Sequence, residues 1–137
     1  MARIDYPNWF ARLAVTAVFA LNVDCALNFI FRPAEFLTAY GLSGLEGMAA
    51  IQGLGVAFLM WNATYPAVIW QPRKNCTLFV ILLIQQLIGL VGESFIALHT
   101  TGILQLSIFK FIFFDAADLI LLSLAFAFLA LAKPRKI

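Results

Sequence analysis

Charge is scarce in this chain. Asp, Glu, Lys and Arg make up 12% of its 137 residues, about half the share found in a water-soluble domain. The net charge is only +2 and the basic residues sit in scattered pairs, so nothing resembles a footprint for nucleic acid. Two cysteines do not make a disulfide scaffold, and one histidine without a second nearby is a poor metal or haem candidate. No nucleotide-binding loop, serine nucleophile elbow, zinc pattern or dinucleotide fingerprint occurs, so any catalysis would have to come from acids alone. An enzyme is the less favoured reading, and no cofactor or metal is expected. The chain is instead 64% hydrophobic and 15% aromatic, with a mean hydropathy of +0.96. That is too apolar for a protein that must cover its surface with polar groups.

A membrane-crossing helix needs about 20 mainly apolar residues. Four such stretches occur, at about residues 10–31, 45–65, 76–98 and 104–131. The breaks between them carry helix-ending punctuation: Arg32-Pro33, the segment from Gly41 to Gly44, Pro66 with the segment from Gln71 to Asn75, and the segment from His99 to Gly102. The expected fold is therefore all-α, one transmembrane domain built as an up-down four-helix bundle. Arg3, Arg12, Arg73, Lys74, Lys133, Arg135 and Lys136 fall on one face of it, against Arg32 and Lys110 on the other. Basic loops stay in the cytoplasm, so both termini are predicted to be cytoplasmic. The apolar run from Leu13 to Val23 has the length of a signal peptide but lacks a small-x-small cleavage site, and is read as part of the first span.

On this orientation the glycosylation-like triplets at Asn62 and Asn75 lie at the cytoplasmic ends of their helices and are read as chance. Cys25 and Cys76 sit at different depths, too far apart for a disulfide. Trp9, Trp61 and Trp70, with Tyr6 and Tyr65, suit an aromatic belt at the cytoplasmic boundary.

Ionisable side chains inside a bilayer are costly, so their positions carry the most information. Counting at 1.5 Å per residue, Asp24, Glu93, Asp115 and Asp118 fall roughly 20 to 24 Å above the inner boundary, and Gln52 joins them. Recurrence at three and four residues gives each span a polar stripe. These stripes run through Ala17, Asp24 and Asn28, through Met48, Gln52, Gly55, Leu59 and Asn62, and through Gln85, Gln86, Gly89, Gly92, Glu93 and Ile96, while Asp115 and Asp118 share a face of the fourth span. Turned inward, they make one acidic layer in the outer half of the bundle.

Most of these residues have a purely structural reading beside the functional one. Gln52, Gln85, Gln86, Asn22, Asn28 and Asn62 suit interhelical hydrogen bonds. Lys110 suits a snorkelling position or an ion pair to a nearby acid. Glu46 suits a helix N-terminus, and His99 an interfacial one. Four acids at one level cannot all be ionised in a low-dielectric interior. They form a site for a protonated amine or other polar molecule, a proton or cation path, a catalytic acid and base pair, or an acid cluster that only fixes helix register.

The segment from Pro33 to Gly41 reads as a short interfacial helix, with Pro in its first turn and Gly after its end, serving as a lid or an anchor. With this Arg32-Pro33-Ala34-Glu35-Phe36-Leu37-Thr38-Ala39-Tyr40-Gly41-Leu42 stretch and the glycine-rich start of the second span, the chain resembles small bacterial four-helix membrane proteins of the broad DoxX-like kind. The resemblance implies a fold and a bacterial inner-membrane location, and carries no functional residue with it.

The expected function is small-molecule binding or proton-coupled transport through Asp24, Asn28, Gln52, Glu93, Asp115 and Asp118. The alternative is an accessory or assembly subunit. The expected partners are the lipid bilayer and a small molecule, with a homo-oligomer or a membrane-protein partner left open.

Overall fold

A computed structural model describes residues 5–132. Arg3, Lys133, Arg135 and Lys136, four of the basic residues used to orient the chain, lie outside the described residues. Among the described residues five α-helices follow one another: α1 (Tyr6–Phe31), α2 (Gly44–Trp61), α3 (Tyr65–Trp70), α4 (Cys76–His99) and α5 (Ile103–Leu131). Four helical stretches, Tyr6–Phe31, Gly44–Trp70, Cys76–His99 and Ile103–Leu131, run for 24 to 29 residues and are apolar enough to cross a membrane. At 1.5 Å per residue the shortest is about 36 Å long, enough for a hydrocarbon core of about 30 Å. Large apolar side chains cover the outside, Leu98 at 82% exposure and Leu131 at 83% among them. Such a surface is stable only when lipid is the solvent. The expected all-α bundle of four spans holds, and the chain is a membrane-embedded protein.

Local sequence sets the ends of the helices. The Asp5 side chain accepts a hydrogen bond from the Asn8 amide and caps α1. Pro33 pushes Arg32 out of the helical region, to φ −131 and ψ 46, and α1 stops there. The second span differs from expectation at Pro66. Proline has no N–H for the Asn62 carbonyl, so the chain tightens into a 3-10 turn over Asn62–Thr64 in which the Tyr65 amide takes that carbonyl. The helix then resumes as α3 and extends the span to Trp70. The connector between the first two spans is two 3-10 turns, Pro33–Phe36 and Thr38–Tyr40, instead of one continuous helix. Gly41 closes the second turn with φ +63, a left-handed conformation that side chains disfavour.

Around the bundle the order is α2, α1, α5, α4, with α3 bridging α1 and α4 at the end that carries the termini. α2 lies against α1 and makes at most marginal contact with α4 and α5. Its close approach to α1 depends on Gly55, where a Cβ would come within 2.7 Å of the Ala26 carbonyl oxygen and of Ile30 Cγ1. The terminal half has a solid core of Ala11, Val15, Val18, Val68, Phe79, Leu82, Leu122 and Ala125 around Tyr65. Tyr65 stacks on Phe19 with ring centroids 5.8 Å apart. The belt predicted at this boundary is therefore corrected for two members. Tyr65 is fully buried and Trp61 is turned into the bundle, while Tyr6, Trp9 and Trp70 are exposed. Both rings continue the inward stripe of the second span, Trp61 three residues after Phe58 and Tyr65 three after Asn62.

Arginine ties the same end together. Arg73 pairs with Asp5 at 3.1 Å and donates through Nη1 to the carbonyls of Leu129 and Ala132, each at 3.2 Å. Arg12 donates to the Trp70 carbonyl and lies over the Trp9 ring.

Candidate functional site

Above the solid core the four spans enclose a cavity of about 240 Å³. Its shape follows from which side chain each helix turns inward. On α1 the buried stripe runs through Val15, Val18, Ala26 and Phe29, and it carries Asn22 and Cys25 with it into the cavity wall. α2 supplies Phe58 and Trp61, followed by Asn62 from the 3-10 turn. α4 supplies Gln86, Gly89 and Glu93, spaced three and four residues apart on one face. α5 supplies Phe111, Phe114, Asp115 and Asp118.

The antiparallel register of α4 and α5 is fixed at Gly89. A Cβ there would lie 2.7 Å from Asp115 Oδ2, so the missing side chain makes room for the carboxylate. Counting away from that point, Gln86 lies near the level of Asp118, and Glu93 stands about one helical turn, roughly 6 Å, towards the far end. Three acids thus line the same cavity one after another. Asp118 is only 8% exposed. Among the described residues no Lys or Arg forms an ion pair with any of them, and no three His, Cys, Asp or Glu side chains are grouped to hold a metal ion.

Three of the six predicted site residues, Glu93, Asp115 and Asp118, line the cavity, and three do not. Asp24 is exposed on the outer side of α1, where the Asn28 amide donates to its carboxylate at 3.2 Å and to its carbonyl at 3.0 Å. Gln52 is exposed and donates to the Ile30 carbonyl at 3.0 Å, joining α2 to the end of α1. The physical reason is angular. Successive helical residues point about 100° apart, so once the apolar stripe ending at Phe29 faces inward, Cys25 follows it and Asp24 is carried outward. In α2 the inward stripe is Gly47, Ile51, Gly55, Phe58 and Asn62, which leaves Gln52 outside.

The cavity also brings in residues absent from the predicted site. Gln86 is 5% exposed and its Nε2 has no hydrogen-bond partner, and Trp61 Nε1 and Glu93 Oε2 are likewise buried and unpartnered. A buried polar atom left unpaired costs about 1–3 kcal/mol. Asn62 is better served: it donates to the Phe58 carbonyl at 2.8 Å and accepts from Asn22 at 3.4 Å. The interhelical role expected for Asn22 and Asn62 is met by that bond. The same role is expected of Gln86, yet its amide reaches no neighbour. Its spacing of seven from Glu93, with Gly89 between, is the sequence signal for a site position.

Aromatic rings close the cavity at the end away from the termini. Phe29 is fully buried and packs on Phe36 at 4.6 Å, on Tyr40 and Phe58 at 5.8 Å, and on Phe111 at 6.3 Å between centroids. The connector thus covers the bundle end, with Phe36 and Tyr40 packed on Phe29 and Tyr40 also against Phe111. Burial pushes the Tyr40 hydroxyl above its ordinary value of 10.0, with negative charge on Cys25 and Glu93 adding to the shift.

Comparison with protein-family models, curated proteins and solved structures finds no match for this chain.

Proposed function

We propose that this chain is a bacterial inner-membrane protein of the DoxX-like kind, with both termini in the cytoplasm, whose cavity binds a small molecule carrying a protonated amine. One observation carries the reading. Unpartnered donors on Gln86 and Trp61 and an unpartnered acceptor on Glu93 converge on a membrane-buried cavity that also holds Asp115 and Asp118. A buried polar network is stable only when its members are satisfied, and uncompensated carboxylates favour a cationic guest.

The test uses the full chain in lipid discs with benzylammonium, and benzyl alcohol as a neutral probe of similar size. The ammonium should raise the unfolding temperature saturably, and the alcohol should not. The double variant Glu93→Gln, Asp118→Asn should fold with the same helicity and lose the response. Equal stabilisation by both probes, or a response retained by the double variant, would remove the acids from the site. An absence of any saturable response would favour the accessory-subunit reading.

Proton-coupled transport is a second reading, favoured by the succession of Asp118, Asp115 and Glu93 about one turn apart along the cavity. Proteoliposomes carrying an internal pH dye should then turn alkaline inside as amine entering down an inward gradient is exchanged for internal protons, and those of the same double variant should not.

A further inference from the structure

The closed and open sides of the cavity decide where a guest can enter. Towards the termini the way is blocked by the solid core around Tyr65, and by α3 packed against both α1 and α4. Towards the other end it is blocked by Phe29, Phe36, Tyr40 and Phe111. Between α2 and α4, which make at most marginal contact, the Trp61 ring alone spans the gap, its Cη2 lying 3.7 Å from the Cβ position of Gly89.

The remaining side lies between α1 and α5. Two cavity-lining residues are more than half exposed, Leu21 on α1 and Phe114 on α5, each at 57%. Both sit on the edges that these helices turn towards each other. On α1, Ala26 marks the side facing α2, and Leu21 lies on the opposite side. On α5, Asp115 marks the side facing α4, and Phe114 lies on the opposite side. Below this point the seam is shut by Ala14, 4% exposed, and above it by the Phe29 and Phe111 rings. The cavity therefore opens sideways, at mid-span, into the hydrocarbon layer.

Size points the same way. A volume of about 240 Å³ holds roughly eight water molecules at about 30 Å³ each, and falls below the roughly 300–1,000 Å³ of sites that enclose a drug-sized ligand. It takes a headgroup and a few carbons, not a whole lipid. A longer molecule must leave its tail in the mouth, where Leu21 and Phe114 offer apolar contact.

Resting on the amine-binding reading above, we propose that the natural ligand is a long-chain amphiphile with a cationic amine headgroup, which enters from the bilayer between α1 and α5 and leaves its tail in the lipid.

The test reads Trp61 in the cavity. The full chain carrying Trp9→Phe and Trp70→Phe, in lipid discs, is titrated with 2,3-dibromooctadecylammonium in the bilayer, whose bromines sit beside the headgroup, and separately with water-soluble 2-bromoethylammonium, since bromine quenches indole fluorescence on contact. Quenching by the long-chain amine should be saturable, reversed by unbrominated octadecylammonium, and governed by mole fraction in the lipid, so that doubling the lipid at fixed probe halves the effective dose. Leu21→Phe, which narrows the mouth, should weaken it several-fold. Val91→Phe, at an exposed position of α4, should leave it unchanged.

Saturable quenching by the short amine with none by the long one would overturn the lateral route and leave the amine site standing. Equal behaviour of Leu21→Phe and Val91→Phe would overturn that route in the same way. Quenching by neither amine would overturn the amine site and this inference with it.

Discussion

Gly89 offers a perturbation in which stability and binding should separate. Replacing a helical glycine by alanine gains about 1 kcal/mol from backbone entropy. At position 89 the new Cβ would lie 2.7 Å from Asp115 Oδ2, closer than a real Cβ tolerates, with the next neighbours at 3.7 and 3.8 Å. The offending atom is the end of a short side chain, so the strain is relieved by turning Asp115 away from its rotamer, at about 0.5–1.5 kcal/mol. The two terms nearly cancel, and Gly89→Ala should unfold within about 1 kcal/mol of the wild type. Its carboxylate is nevertheless displaced from the cavity wall, and benzylammonium binding should weaken by about tenfold, the equivalent of about 1.4 kcal/mol. Gly92, one turn along α4, has nothing within 4 Å of its Cβ position. Gly92→Ala should therefore stabilise by about 1 kcal/mol and leave binding untouched. Reversible unfolding in mixed micelles and a binding isotherm in discs read the two quantities. If Gly89→Ala is stabilised as much as Gly92→Ala and binds the amine normally, Asp115 does not lie against Gly89 and the α4–α5 register is wrong.

Three further perturbations follow from the packing. Gly55→Ala places a Cβ against the Ala26 carbonyl oxygen, backbone that cannot turn aside, so overpacking of about 1–3 kcal/mol should exceed the propensity gain and lower the unfolding midpoint. Arg73→Ala removes donors from the carbonyls of Leu129 and Ala132 as well as the ion pair with Asp5. It should cost about 1–3 kcal/mol in the same assay, most of it retained at high salt because the carbonyl bonds are screened little. Tyr40 holds its proton more tightly when folded than when unfolded, so its contribution to stability is whole below the ordinary value of 10.0 and is lost as the pH rises through the higher folded value. Tyr40→Phe should flatten that alkaline loss, read as the unfolding midpoint against pH.

The spans were legible in the sequence because bilayer thickness converts directly into run length, and no packing detail can alter it. Glu93, Asp115 and Asp118 were legible because three- and four-residue spacing survives any rigid rotation of a helix. What the sequence left ambiguous was the rotation itself. Asp24 and Gln52 looked inward-facing when polar residues were allowed to choose the face. In the bundle the choice falls to close packing, with Gly55 against Ala26 and Phe29 among four other rings, and polar groups on the wrong side find partners locally, as Asp24 does in Asn28. Trp61 and Tyr65 had the composition and depth of a belt. Their inward turn follows the stripe that Ile51, Gly55 and Phe58 set, a rotation that composition and depth do not fix.

If the cavity acids meet the amine directly, nitrogen and carboxyl carbon lie within reach of a distance measurement. Solid-state dipolar recoupling between nitrogen-labelled benzylammonium and side-chain carboxyl carbons of the protein in lipid should show contact at about 4 Å with Asp118 and Glu93, removed in the Glu93→Gln, Asp118→Asn variant. Coupling to Asp24 alone, or to lipid phosphate with none to the cavity acids, would place the amine outside the cavity.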